Sequence, residues 1–222
     1  GTVIIAGIGR FGQIVNRLLV SNGVNTVVLD HQANQVDVLR SINIKSYFGD
    51  ATRPDLLHTA GIEDAALFVV AIDNQDASVE LVKYVKHTYP KVKILARAYD
   101  RGHGYRLREV GADYIESETY HSALEMGAEA LRSLGHHPFF VEQQKSTYMR
   151  VENRKSETLY QAWAAAEDNP RYDNNYRQIF IHLEEAMKED MKKDRSDKHT
   201  RSERGWTPPP KGYADGFEEE ET

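Results

Sequence analysis

The sequence predicts a doubly wound α/β fold: a six-stranded parallel sheet, then a C-terminal helical extension and a disordered tail. Three observations predict it. Six short β-branched runs recur over roughly the first 135 residues, helical patterns fill the gaps between them, and a glycine-rich turn joins the first run to the first helix. Strands that alternate with helices are linked by crossovers, which make the sheet parallel and cover both its faces.

The strands expected are Thr2–Ala6, Thr26–Asp30, Lys45–Phe48, Leu67–Ile72, Lys93–Ala98 and Asp113–Ile115. Between them Phe11–Ser21 sets Ile14, Val15, Leu18 and Leu19 on one stripe, and Asn34–Ile42 does the same with Val36, Leu39 and Ile42. Thr52 reads as the cap of the next helix, with Pro54 in its first turn and Gly61 as its stop. Ala77–Tyr89 ends at Pro90, His103–Val110 at Gly111, and Thr119–Leu134 at Gly135. After Gly135 the strand runs cease. His136-His137-Pro138 reads as a break, and Gln144–Ala166 and Asn175–Lys193 read as helices separated by Asn169-Pro170. Ile179, Leu183, Ala186 and Met187 form a narrow stripe that needs a neighbour, in the same chain or a partner's. Lys188–Arg204 reads as a solvated charged helix, and the triple proline at Pro208–Pro210 with Glu218–Glu221 as a tail. The expected division is therefore 1–135 for a nucleotide-binding domain, 136–200 for a helical extension or dimerisation region, and 201–222 for the tail.

Composition excludes several function classes. With 28 Lys+Arg against 34 Asp+Glu the net charge is −6, a poor start for neutralising nucleic-acid phosphates. Cysteine is absent, which removes disulfides, thiolate metal sites and thiol nucleophiles or sensors. No run approaches the roughly 18 apolar residues of a membrane span, and no secretory signal is visible. The chain opens Gly1-Thr2 straight into a strand, without an initiator Met, and reads as an excised piece of a longer protein.

Gly7-Ile8-Gly9-Arg10-Phe11-Gly12 is G-x-G-x-x-G placed between a strand and a helix, the context that gives the pattern meaning. Gly7 permits the tight turn, Gly9 lets backbone approach a phosphate, and Gly12 lets the helix lie against the sheet. Free N–H groups at the helix start suit an anion; Arg10 and Phe11 sit within that turn. This is the phosphate-binding arrangement of a Rossmann-like fold. Asp30 closes the second strand, 18 residues past Gly12, where a carboxylate accepts both ribose hydroxyls and repels a 2′-phosphate. The ligand expected is thus AMP or NAD(H) rather than NADP(H). His31 either lies over the adenine or faces solvent. Asp50 can accept from an adenine amino group, with Ala51 and Thr52 beside it. Asp73 ends the fourth strand and Arg97 the fifth, so all converge on one sheet edge. Arg97 either offsets phosphate charge or forms an ion pair with Asp73 or Asp100.

Gly49-Asp50-Ala51-Thr52, Leu56-Leu57, Ala60-Gly61-Ile62, Ala71-Ile72-Asp73 and Gly111-Ala112-Asp113 resemble the KTN/RCK (TrkA-N type) domains that regulate potassium channels and transporters. The stretch Ile4–Leu19 narrows this, as do Glu118-Thr119-Tyr120, Ala123-Leu124 and Ala130–Gly135. Together they look like the cytoplasmic domain of the bacterial Kef glutathione-gated potassium efflux systems. The resemblance is strong over 2–135, weak over 136–200 and absent in the tail. It implies a K+/H+ antiport system with an N-terminal membrane part in the same polypeptide, so that this domain sits at the cytoplasmic face of the inner membrane. It implies a homodimer through the KTN domains, with glutathione at the interface keeping the system closed and glutathione conjugates activating it. It implies a nucleotide held as a structural ligand, and an ancillary oxidoreductase-like subunit. Arg17 matches the family's glutathione-contacting basic residue, and Arg150 and Asn153 are carried over as further contacts. Ser117 stands where the family often has Arg, so Arg97, Arg108 or the partner chain must serve the second carboxylate. With no Cys to exchange with glutathione, the switch must read bulk at sulfur, through an aromatic such as Phe48, Phe139, Phe140 or Tyr148.

No catalytic or metal-binding residue is expected. H-E-x-x-H, G-x-S-x-G and the P-loop pattern do not occur, and His136, His137 and His182 lack partners at fixed spacing. Two alternatives remain. One is an NAD-dependent oxidoreductase, which would need a substrate domain that residues 136–222 do not offer. The other is an RCK gating domain that answers to nucleotide alone.

Overall fold

The computed structural model describes residues 1–166 and 174–196. The expected break at Asn169-Pro170 and the acidic tail lie outside them. The chain divides into two compact units, one covering Gly1–Gly127 and one beginning at Ala128.

The first unit holds a six-stranded, all-parallel sheet in the order β3-β2-β1-β4-β5-β6. Its strands are β1 (Thr2–Ala6), β2 (Thr26–Asp30), β3 (Lys45–Phe48), β4 (Ala65–Val70), β5 (Lys93–Ala98) and β6 (Tyr114–Ser117). The helices between them are α1 (Gly12–Ser21), α2 (Ala33–Ser41), α3 (Pro54–Ala60), α4 (Gln75–Thr88) and α5 (Arg101–Glu109); α6 (Tyr120–Ser133) follows β6. The doubly wound class is therefore the observed one. Chain order reverses direction between β1 and β4, where such sheets open a ligand crevice at their carboxyl ends.

Alternation along the strands builds a core on each face. Ile4, Ala6, Leu29, Phe68, Val70 and Ile94 meet Leu57, Leu81, Val85 and Leu107 on one side. Val3, Ile5, Val28 and Val69 meet Ile8, Leu39 and the partly buried Val15 and Leu19 on the other. Successive strand residues point to opposite faces, so one run serves both cores.

Several boundaries differ from expectation: the sixth strand is Tyr114–Ser117, not Asp113–Ile115, and helix ends shift by one or two residues. The fourth strand is Ala65–Val70, not Leu67–Ile72. Its pairing with β1 ends at Ala6–Val70 because β1 itself turns into the glycine loop there. Thr52 does not cap α3. Arg53 occupies that position, and the Thr52 N–H and hydroxyl both donate to Asp50 Oδ1, at 2.9 and 2.8 Å, in a local turn. The break after Gly135 falls at His136-His137, as expected, but Pro138 already belongs to the next helix. In the second unit α7 (Pro138–Ala164) begins six residues before Gln144, with Pro in the first turn, where no N–H is needed, and His137 accepting from the Phe139 N–H. There α7 packs with α8 (Asn174–Ser196). Met187 is buried and Ile179, Leu183 and Ala186 are partly so, so the narrow stripe has its neighbour within the chain. Lys155 Nζ donates to the Leu183 carbonyl at 2.9 Å across the pair. No helix among the described residues is long and apolar enough to cross a membrane.

Candidate functional site

The carboxyl ends of β3, β2, β1, β4 and β5 bring the predicted nucleotide residues into one row. At its centre lies the turn Gly7–Gly12. Gly7 has φ +93°, and a Cβ there would stand 2.7 Å from the Ala71 carbonyl oxygen and 2.9 Å from the Ile72 nitrogen. Gly12 is tighter still: its Cβ would lie 2.0 Å from the Gly7 carbonyl oxygen. Gly9 is different, because a Cβ there meets nothing within 4 Å. The fold itself therefore requires Gly7 and Gly12. The space above Gly9 is open, and Gly9 and Arg10 are exposed. α1 begins at this turn with Phe11 in the cap position. Among the described residues the helix has no side-chain cap and no acid in its first turn. An uncapped helix start carries partial positive charge and faces this open space.

Asp30 flanks the turn. It is 6% exposed; Oδ2 accepts the Ile8 N–H at 2.7 Å and Oδ1 the Gln32 N–H at 2.7 Å. An ionised carboxylate has about four acceptor sites, so two remain for other donors such as ribose hydroxyls. His31 is exposed, with Nδ1 3.8 Å from Asp30 Oδ1. Further along, the Gly49 N–H donates to the Asp30 carbonyl at 2.8 Å, which ties the β3 end to the β2 end. Asp50 stands exposed beyond it. The N–H and then the hydroxyl of Thr52 hold its carboxyl below the ordinary value of 3.8. Ala51 is buried.

On the other flank Asp73 is 83% exposed and Arg97 is 5% exposed. Arg97 Nη2 donates to the Ile72 carbonyl at 2.9 Å and to Asp73 Oδ1 at 3.0 Å, and Nε lies 3.4 Å from Glu118 Oε2. The guanidinium is thus engaged by protein carboxylates, the ion-pair alternative of the two considered. Arg17 is exposed on α1, one turn beyond the glycine loop. Arg150 and Asn153 are exposed on α7 in the second unit. Arg150 lines a groove of about 450 Å³ with Phe139, Glu142, Gln143, Ser146 and Thr147. Among the described residues no His, Asp and Glu cluster is arranged to hold a metal.

Two residues to which the sequence assigned no site role stand behind this edge: Glu118, beside Arg97, and His103. His103 is 3% exposed on α5. Its Nδ1 accepts the Tyr99 N–H at 3.0 Å, so the proton of the neutral ring is on Nε2, which donates to Ser78 Oγ at 2.7 Å. Ser78 in turn donates to the Gln75 carbonyl at 2.8 Å. This relay stitches the start of α4 to the β5–α5 turn. The only sequence signal for it was Asp100, whose side chain caps α5 by accepting the His103 N–H at 2.8 Å. Burial, then Arg106, hold the His103 pKa below 6.5, against an opposing pull from Asp100. Protonation thus favours the unfolded chain. The contribution of His103 to stability is present above about pH 6.5 and is lost as pH falls through the lowered folded value. Thermal melts at pH 7.5 and 5 are expected to show a lower Tm in acid, and His103→Gln is expected to reduce that difference. An unchanged difference in the variant would remove His103 from the acid response.

The TrkA-N domain family model matches residues 3–118, and the model of the potassium efflux system KefB C-terminal domain matches residues 122–205. The chain is 42% identical over 169 residues to the glutathione-regulated potassium-efflux system protein KefC of Klebsiella aerogenes, covering 76% of this chain and 27% of that protein. It is 45% identical over 148 residues to KefC of Escherichia coli O139:H28, covering 67% of this chain and 24% of that protein. The chain thus spans about a quarter of the length of these curated relatives. Among solved structures it is similar to the Shewanella denitrificans Kef CTD in AMP-bound form: 41% identity, TM-score 0.68, 73% of this chain and 100% of that one. It is also similar to the GsuK channel bound to NAD: 25% identity, TM-score 0.54, 63% of this chain and 24% of that one.

Proposed function

The chain belongs to the TrkA-N domain family, among the C-terminal domains of Kef potassium-efflux systems, and on that premise we propose that it is the nucleotide-binding gating domain of a glutathione-regulated K+/H+ antiport system. The observation that carries the nucleotide reading is the open space over Gly9 at an uncapped helix start, beside the buried Asp30. AMP or NAD(H) fits it: phosphate at the turn, ribose on Asp30, adenine toward His31 and Asp50. The nucleotide is held as a ligand and not turned over. The AMP and NAD of the related structures agree with that chemistry.

The test separates fold from ligand. Gly9→Val places its side chain in open space, so its stability is expected to stay within about 0.5 kcal/mol of the parent. Its AMP affinity by calorimetry is expected to fall about tenfold or more, because the side chain takes the room of the phosphate. Unchanged AMP affinity would overturn the placement.

Glutathione is the regulatory ligand in this reading: glutathione holds the system closed and its conjugates activate. Glutathione is a net anion, and a guanidinium such as that of Arg17 on the first unit, or of Arg150 near Asn153 on the second, suits a carboxylate. Phe139 beside Arg150 puts an aromatic ring in the same groove, where bulk at sulfur can be read. The assembly is a homodimer attached to a membrane part in the same polypeptide, at the cytoplasmic face of the inner membrane, with an oxidoreductase-like ancillary subunit. Calorimetry with glutathione and an N-substituted succinimido conjugate is expected to show both binding, and Arg17→Ala is expected to weaken each about tenfold. If the parent binds neither, the domain answers to nucleotide alone.

A further inference from the structure

Arg97 is a buried cation that holds two carboxylates at once, and one of its donors is unsatisfied. Nη2 is engaged by the Ile72 carbonyl and Asp73. Nε is buried without a hydrogen-bond partner, and Glu118 Oε2 stops at 3.4 Å from it. A buried donor left short of its acceptor costs free energy and calls for an explanation. Glu118 is 14% exposed, so it is poorly placed to satisfy itself with water.

The neighbours of this cluster run in sequence from the ligand turn to a helix. The Gly7 backbone lies against Ala71 and Ile72. Ile72 and Asp73 hold Arg97. Arg97 faces Glu118, whose own N–H donates to the Ala98 carbonyl at 3.0 Å. Thr119 comes next, and its carbonyl accepts the Ala123 N–H at 2.8 Å in the first turn of α6.

We propose that Arg97 is a positioning residue that couples occupancy of the glycine turn to the first turn of α6 through Glu118. The coupling rests on the nucleotide reading above and is electrostatic. A phosphate at the turn adds negative charge on the Asp73 side of Arg97. Asp73, at 83% exposure, is the carboxylate free to withdraw into water. As it withdraws, the charge of Arg97 is left to Glu118, and the 3.4 Å separation closes to a hydrogen bond on Nε. Closure fixes Glu118, and with it the entry into α6. Ligand binding therefore tightens the β6–α6 junction rather than loosening it.

The experiment combines calorimetry with amide hydrogen exchange on this chain, with and without AMP. AMP is expected to bind the parent and to slow exchange at Tyr120–Ala123 about tenfold. Glu118→Gln keeps the shape and removes the charge. It is expected to bind AMP up to about tenfold more weakly, the reciprocal of the coupling, and, with AMP at saturation, to lose the slowing at Tyr120–Ala123. Arg97→Lys, which keeps the charge and loses Nε, is expected to lose the slowing as well when AMP is raised to saturate it, and serves if Glu118→Gln does not fold. Slowing that persists in the variants, or AMP bound to the parent without slowing, overturns the coupling. Absence of any AMP heat with the parent overturns the nucleotide reading, and the coupling with it.

Discussion

Gly12→Ala is expected to abolish nucleotide binding and to destabilise the domain. The added methyl would stand 2.0 Å from the Gly7 carbonyl oxygen and 3.0 Å from the Gly7 carbonyl carbon. Both are backbone atoms of a turn already pressed against Ala71, so neither can step aside alone. Overpacking of this kind costs about 1–3 kcal/mol, a fall in Tm of several degrees for a chain of this size. Relief comes by lifting α1 off the sheet, and that displaces the helix start that faces the ligand. Calorimetry with AMP and a thermal melt read the two effects together. A variant that melts with the parent and still binds AMP would show that the turn has room the distances deny. The contrast with Gly9→Val is the informative part, since two glycines of one motif are expected to fail for different reasons.

Asp30→Leu is expected to have the larger effect on stability. The carboxylate accepts the N–H groups of Ile8 and Gln32, and leucine would leave both without an acceptor. An unsatisfied buried donor costs about 1–3 kcal/mol, which the Ile8 N–H incurs in full and the part-buried Gln32 N–H in smaller measure, a fall of roughly 5–10 °C in Tm. Asp30→Asn is the gentler arm, because it keeps one acceptor oxygen and loses the charge. It is expected to fold and to bind AMP about 10- to 100-fold more weakly, the worth of hydrogen bonds between a charged acceptor and the ribose hydroxyls. AMP affinity equal to the parent's in Asp30→Asn would remove Asp30 from the ribose contact and leave it a brace for the turn.

The elements that were legible in the sequence are those written in local chemistry. β1 and β2 fall where their β-branched runs predict, because a strand buried on both faces has little choice but such residues. The glycine turn is legible for the same reason: only glycine fits two of its positions. Thr52 misled because Asp50, Thr52 and Pro54 in that order satisfy both a helix cap and a side-chain turn, and the winner depends on where Asp50 points. Pro138 misled because proline stops one helix and starts another equally well. For Arg97 the strand order offered the pair with Asp73 as one of two alternatives, but nothing in the local sequence shows that Ile72 and Glu118 meet it as well. His103 is harder still. Its partners, Ser78 and Tyr99, lie on two different segments, and a histidine between glycines at an expected helix start carries no sign of either.

The central place of β1 in the sheet has a consequence for how the domain comes to be. It is the earliest strand in the chain, and it is paired on one side by β2 and on the other by β4, whose partners begin at Ala65. During synthesis the strand that carries the ligand turn must therefore wait, with one edge bare, while about 60 further residues emerge. Long-range parallel pairing of this kind forms slowly and leaves sticky intermediates. A ligand that grips the turn can act only once β4 has docked. On the proposed reading the nucleotide binds the finished half-sheet and not its precursor, so refolding of this chain is expected to give more native domain with AMP present than without it.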